Sequence, residues 1–187
     1  MNDFDFLSYA EQLACQLKAV AHSDEHRRFF TSFGLEDLVS FTDRLSSLEG
    51  YVMIAIDGHE SESNDNHADA LDAAYHYGII ICCNTVSDDP ATIEAAFTTC
   101  DRLCREVRNR MLQELRPRIS RDTEINGIGP IGDNFYGCLL SITMNDTEGF
   151  AIDHTCWMQE EPEAAPAAEG ETSDEGATEG ETNQEGD

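Results

Sequence analysis

Residues 127–144, GIGPIGDNFYGCLLSITM, join a glycine-rich turn directly to a run that alternates between apolar and small or polar positions. In an extended chain Tyr136, Cys138, Leu140, Ile142 and Met144 share one face, and Gly137, Leu139, Ser141 and Thr143 share the other. Such a run commits the chain to a sheet with at least one buried face. It carries no group of residues with the look of an active centre.

The rest of the chain divides by composition near Gln159. Residues 1–158 hold the aromatic and branched side chains and are predicted to form one α+β domain. Residues 159–187 are rich in Glu, Gly, Ala, Thr and Pro, with EGET at 169–172 and again at 179–182, and are predicted to be a disordered acidic low-complexity tail. Eleven of the 38 acids lie from Glu160 onward, so the body keeps a charge of −16 out of the formal −27. A body so acidic repels phosphate, which argues against sequence-independent or specific nucleic-acid binding. Seven of the eleven basic residues lie between Arg102 and Arg121, a single positive patch in an otherwise acidic body.

The opening MNDFDFLSYAEQL lacks the basic and apolar regions of an export signal, and no apolar run reaches membrane-spanning length. A cytoplasmic protein with no membrane partner is expected. The seven cysteines are odd in number and mostly fall within apolar patterns, which predicts reduced, buried thiols and no structural disulfide.

Helical spacing of Phe6, Tyr9, Ala10, Leu13, Leu17 and Val20 predicts a helix over 5–21, and a shorter one follows over 35–45. YVMIAI at 51–56 is apolar on both alternating faces, as in a strand covered on both sides. Residues 57–72 read as a long, mobile polar loop, and 76–86 as a second strand. Asp88 or Asp89, followed by Pro90, marks a helix start. That helix is expected to reach about Leu115 with a buried stripe of Ile93, Ala96, Phe97, Cys100, Leu103, Cys104, Val107 and Met111. A strand from Phe135, an NDTEG hairpin and a partner strand over 150–157 complete the order α-α-β-β-α-β-β. The expected fold is α+β, with helices packed on a small, mainly antiparallel four-stranded sheet.

Few residues suggest chemistry. Cys100 and Cys104 stand one turn apart, as half a metal site would, but fall on the apolar stripe. His59, Glu60, Glu62, Asp65, His67 and Asp69 match neither HExxH nor the Asp-x-Asp-x-Asp-Gly calcium loop and read as a solvated acidic loop. Adjacent Cys82–Cys83 is not a CxxC pair, and His22 with His26 reads as an exposed pair. His154 and Cys156 would share a face of the last strand, but no Gly-x-Ser-x-Gly turn and no cysteine-protease signature accompanies them. GIGPIG is followed by a strand, whereas a phosphate cradle opens a helix, so Gly129, Pro130, Gly132, Asp133 and Asn134 are assigned to a structural turn. No catalytic residue, metal or cofactor is expected.

The run Gly129–Met144, GPIGDNFYGCLLSITM, preceded by a strand, a helix and an arginine-rich segment, resembles the neck or tail-completion proteins of tailed bacteriophages and prophages, the tail-terminator-like group. The resemblance extends over residues 1–158 in the order of elements. It implies a helix on a small sheet, a long hairpin making ring contacts, and a non-enzymatic ring that terminates the tail tube or joins it to the head. The partners it implies are like subunits, the tail tube and neck or head-completion proteins, met in the host cytoplasm during assembly and then in the virion. The expected subunit interface sets Arg102, Arg105, Arg108, Arg116, Arg118 and Arg121 against Glu60, Glu62, Asp65 and Asp69 of the next copy. The competing expectation is a cytoplasmic adaptor that binds one partner.

Overall fold

The computed structural model of the chain describes residues 4–65 and 67–158. The predicted acidic tail, 159–187, lies outside the described residues. The chain divides into a compact α+β unit ending at Phe150 and a second unit from Ala151.

Helix α1 spans Phe6–Gln16, and the Asp5 carboxylate caps it by accepting from the Ser8 amide at 2.9 Å. It ends before the predicted 21 because Leu17 turns extended, yet Val20 beyond it stays fully buried. Strand β1, Phe29–Ser32, leads into a 3₁₀ turn over Glu36–Phe41 and the short helix α2, Thr42–Leu45. Strands β2, Tyr51–Asp65, and β3, Leu71–Asn84, form a long hairpin. Helix α3, Pro90–Glu114, starts at Asp89, whose carboxylate accepts from the Ala91 amide at 3.0 Å. Strands β4, Glu124–Ile131, and β5, Phe135–Glu148, close the unit.

The sheet has five strands in the order β1-β2-β3-β5-β4. Only β1 and β2 run parallel, so the sheet is five-stranded and mixed, where a mainly antiparallel four-stranded one was expected. Strand β1 escaped sequence reading because two phenylalanines and two hydroxyl residues are too short a run to show a period. Strand β4 escaped because its glycines and Pro130 imitate a loop.

Alternation along β2 and β3 sorts the side chains into two cores. Met53, Ala55, Ile79 and Ile81 pack under α1 and α3, together with Leu140 and Ile142 of β5. Val52, Ile54, Ile80, Cys82 and Phe135 pack on the other face under Leu38, Phe41 and Leu45. The α3 stripe is as predicted for Ala96, Cys100, Leu103, Cys104, Val107 and Met111, all buried.

Two expectations are overturned. The mobile loop over 57–72 is instead strand for most of its length: β2 and β3 pair from Tyr51↔Cys83 to Asp65↔Leu71, with a bulge between Asp57 and Glu60. Its alternating side chains are polar on both faces, so no hydrophobic period announces it. The strand over 150–157 does not form. β3 occupies one side of β5, and β4 and then residues 118–120 occupy the other, where Ser120 donates to the Thr143 carbonyl at 2.8 Å and Asn145 to that of Arg118 at 2.6 Å. Both edges of β5 are thus taken as far as Asn145, where a partner strand would have to pair.

Gly137 marks the closest approach of β3 and β5. A Cβ there would collide with the Ile81 carbonyl oxygen and lie 2.5 Å from the Cys82 Cα, both rigid backbone. Gly137→Ala is therefore expected to destabilise the fold by about 3 kcal/mol, read as a lower midpoint in urea or thermal unfolding, whereas an exposed control such as Gly149→Ala, where a Cβ meets nothing within 4 Å, leaves it unchanged.

Candidate functional site

Past the helix-covered core, β2, β3 and β5 continue together as an arm. Residues 57–72 carry six acids and no Lys or Arg. Register places Glu60 and Glu62, opposite His76 and Ala74, on the face shared with α2; Asp65, opposite Leu71, lies on the face shared with α3. Asp69 falls in the connecting turn, and all four predicted acids are exposed. At the far end the Tyr75 hydroxyl donates to the Glu148 carboxylate, tying β3 to β5.

The seven arginines between 102 and 121 do not form one free patch. Arg105 grips Asp101 with two hydrogen bonds of 2.8 and 3.0 Å, Arg110 bonds Glu114 at 2.7 Å, and Arg118 bonds Asp146 at 2.7 Å. Arg108 spends its guanidinium on the side-chain oxygen of Asn109. The Arg105 hydrogen bonds hold Asp101 below the usual carboxylate range, and Glu114 is held down first by the Tyr9 hydroxyl and then by Arg110. Among the described residues Arg102, Arg116 and Arg121 make no ion pair. Arg116 and Arg121 flank a small concavity with Leu112, Pro117 and Ile119.

Helix α3 covers the face of the sheet opposite to the one that presents Glu60 and Glu62. The helix arginines and these two acids are thus kept apart within one chain by the thickness of the sheet.

The predicted structural turn joins β4 to β5. Gly129 and Gly132 have φ of +146° and +59°, values that side chains resist, while Gly127 lies in β4 opposite Cys138. Pro130 falls in the same strand and Asp133 is exposed in the turn. Asn134 staples the turn to the end of β3: its carbonyl accepts from the Thr85 amide and hydroxyl, both at 2.9 Å, and its side-chain amide donates to the Thr85 carbonyl at 2.8 Å.

A feature that sequence reading missed is a groove of about 540 Å³ on the α2 side of the sheet, at the root of the arm. Ile56, Gly78 and Leu139 form its floor, and Phe33 and Leu35 stand on one bank, 72% and 51% exposed. Leu139 and Ile56 close in on Gly78, where a Cβ would press on Leu139 at 3.1 Å. Asp122, Thr123 and Glu124 form the other bank. Nothing in the spacing of these residues signals that the fold gathers them.

The remaining candidates are placed as follows. Cys100 and Cys104 are buried, and burial pushes the Cys104 thiol up to about 12, so it is a neutral core group. Cys82 is buried and raised for the same reason. His22 accepts from the Arg28 amide at 3.1 Å, while His26 is exposed. His59 and His67 pair with Asp57 and Asp65 at 3.7 and 3.4 Å on the exposed arm. His154 and Cys156 lie on a single 3₁₀ turn rather than a strand, and the Cys156 thiol bonds Asp153. Among the described residues no three of His, Cys, Asp and Glu gather as a metal ion requires, and no helix is long and apolar enough to cross a membrane.

The bond to Glu148 favours the neutral Tyr75 phenol and pushes it up to about 12 from the ordinary 10.0. A group raised in this way stabilises the fold below its unfolded value and ceases to as pH rises through the folded one. The arm tip is therefore expected to loosen between pH 10 and 12, and Glu148→Gln should move Tyr75 ionisation back toward 10, read by tyrosinate absorbance or by NMR of the ring.

No protein-family model matches the chain, and no curated protein is similar to it in sequence.

Proposed function

We propose that the chain is a non-enzymatic structural subunit of a phage or prophage tail or neck, which closes with copies of itself into a ring that terminates the tail tube or joins it to the head. The observation that carries this reading is the separation of unlike charges across the sheet. Glu60 and Glu62 face one way, α3 with Arg102 lies on the other face, and a single chain cannot bring them together. A second copy, rotated about an axis, can. Two unlike patches on every copy form a heterologous contact, and such contacts generate rings.

The arm supports the same reading. A projecting, backbone-paired hairpin has few apolar residues at its end and buries little within its own chain, so its length is best explained by what it reaches. An acidic arm also steers the encounter, because a body of charge −16 carries seven of its eleven basic residues between Arg102 and Arg121. The arginines that already hold Asp101, Glu114 and Asp146 serve helix and arm, and Arg108 is bonded to Asn109, which leaves Arg102, Arg116 and Arg121 to meet the neighbour.

Reversing Arg102→Glu and Arg116→Glu together is expected to weaken self-association by about tenfold or more, since two attractions become repulsions. Adding Glu60→Arg and Glu62→Arg to the same chain should restore it, and salt should shrink the difference between natural and reversed chains. Native mass spectrometry across a concentration series reads all three. Unchanged oligomer size in the reversed chain, with circular dichroism intact, would remove this interface.

A further inference from the structure

Helix α3 packs on β3 and β5 with four cysteines in the core between them: Cys100 and Cys104 from the helix, Cys83 and Cys138 from the strands. Two contacts fix how helix and sheet line up. The Cys104 thiol donates to the Cys138 carbonyl at 3.6 Å, and Cys138 is paired with Ile81. Toward the start of the helix the Phe97 ring meets that of Tyr136 edge-on, with centroids 6.0 Å apart, and Tyr136 is paired with Cys83. From Cys104 back to Cys100 the helix covers about 6 Å, and from Ile81 on to Cys83 the strand advances about 6.6 Å. Cys100 is thus set over Cys83 as Cys104 is set over Ile81. The two thiols meet there, the Cys100 S–H donating to the Cys83 sulfur.

The other cysteines are engaged differently. Cys82 faces the opposite core, and Cys104 and Cys138 give their S–H groups to the backbone carbonyls of Cys138 and Phe97, each at 3.6 Å. Within the pair the two members are unlike. Cys100 is fully buried, whereas Cys83 stands next to the end of β3 and is 8% exposed. The bond from Cys100 favours the Cys83 thiolate and holds it below the ordinary thiol value, outweighing burial. A thiol with thiolate character and a path to solvent is the one that an oxidant attacks, and a second sulfur in contact with it is the one that resolves the product.

We propose that Cys83 and Cys100 are a modification site, oxidised by hydrogen peroxide to a disulfide that staples α3 to the end of β3. This stands independently of the ring reading above. The Cys83 thiolate attacks one oxygen of the peroxide, the O–O bond breaks, and the departing hydroxide takes up the proton that Cys83 lost and leaves as water. Cys83 is then a sulfenic acid. The Cys100 sulfur attacks the Cys83 sulfur, the S–S bond forms as the S–O bond breaks, and the leaving hydroxide carries the Cys100 proton away as a second water. Two thiols have given up two electrons and two protons, and the peroxide has taken up both. The link joins neighbours that the fold already holds together, so it restricts the unfolded chain far more than the folded one. Closing the loop from Cys83 to Cys100 is expected to raise the unfolding midpoint by about 5 °C.

The test uses the full-length chain with the two exposed thiols removed, Cys15→Ser and Cys156→Ser. The folded protein is treated with hydrogen peroxide, quenched, alkylated in denaturant and mapped by mass spectrometry. A peptide pair joined through Cys83 and Cys100 is expected, with circular dichroism unchanged, the thermal midpoint raised, and both effects reversed by dithiothreitol. Adding Cys100→Ala should stop the reaction at the Cys83 sulfenic acid, trapped by dimedone, with no rise in midpoint. The mapping itself needs no core substitution, so it decides the matter even if that variant fails to fold. Cys83 and Cys100 recovered as free thiols from the folded, treated chain would overturn the proposal. So would a link that forms only when urea unfolds the chain, that joins Cys104 or Cys138 as readily, or that leaves the midpoint unmoved.

Discussion

Because β3 is paired on both sides from Leu71 to Cys83, to β2 along one edge and β5 along the other, it sets the position of nearly every other element. Its inner half alternates apolar side chains between two cores, and Cys83, Ile81 and Ile79 lie under α3 while Cys82 and Ile80 lie under α2. Its outer half keeps the same backbone pairing without the same burial. The arm therefore exists because the ladder continues where the core does not, and its order depends on hydrogen bonds, the Tyr75–Glu148 lock and the Arg118–Asp146 pair. Gly137 lets β5 approach β3 closely enough for that ladder to form.

A sheet covered differently on its two faces also separates charge. The helix with the arginines seals one face, and the shorter 3₁₀ and α2 turns seal only part of the other, leaving a groove and a row of acids uncovered. Unlike surfaces on opposite sides of one subunit cannot satisfy each other within the chain. They can do so in a closed ring, where every copy offers one side to each neighbour. In the proposed ring, complementary charge directs the approach of one copy to the next.

How much of this was readable in advance followed from where apolar residues are dense enough to carry a period. Helix α3 and its stripe from Ala96 to Met111, the Asp89 cap and the inner parts of β2, β3 and β5 all show such a period. The arm does not, since Ser, Glu, Asn and Asp fill both faces of residues 60–65, and only pairing with β3 makes them strand. Phe150–Trp157 fails in the opposite direction: Phe150, Ile152 and Trp157 imitate a strand, but the edge they would need on β5 is occupied by Ile125, Gly127 and their neighbours in β4 and by residues 118–120. In the arginine cluster, spacing alone located the residues without revealing that Arg105, Arg110 and Arg118 already have carboxylate partners. The groove was invisible because Phe33, Gly78 and Leu139 meet only through sheet topology.

The proposed ring requires like copies to meet through two different surfaces. An image reconstruction of the assembled full-length chain by electron cryomicroscopy tests this most directly. A closed cyclic ring, in which the α3 arginines of each copy face Glu60 and Glu62 of the next, is the predicted result; a two-fold dimer joined by the same surface on both copies, or no assembly at all, would contradict it.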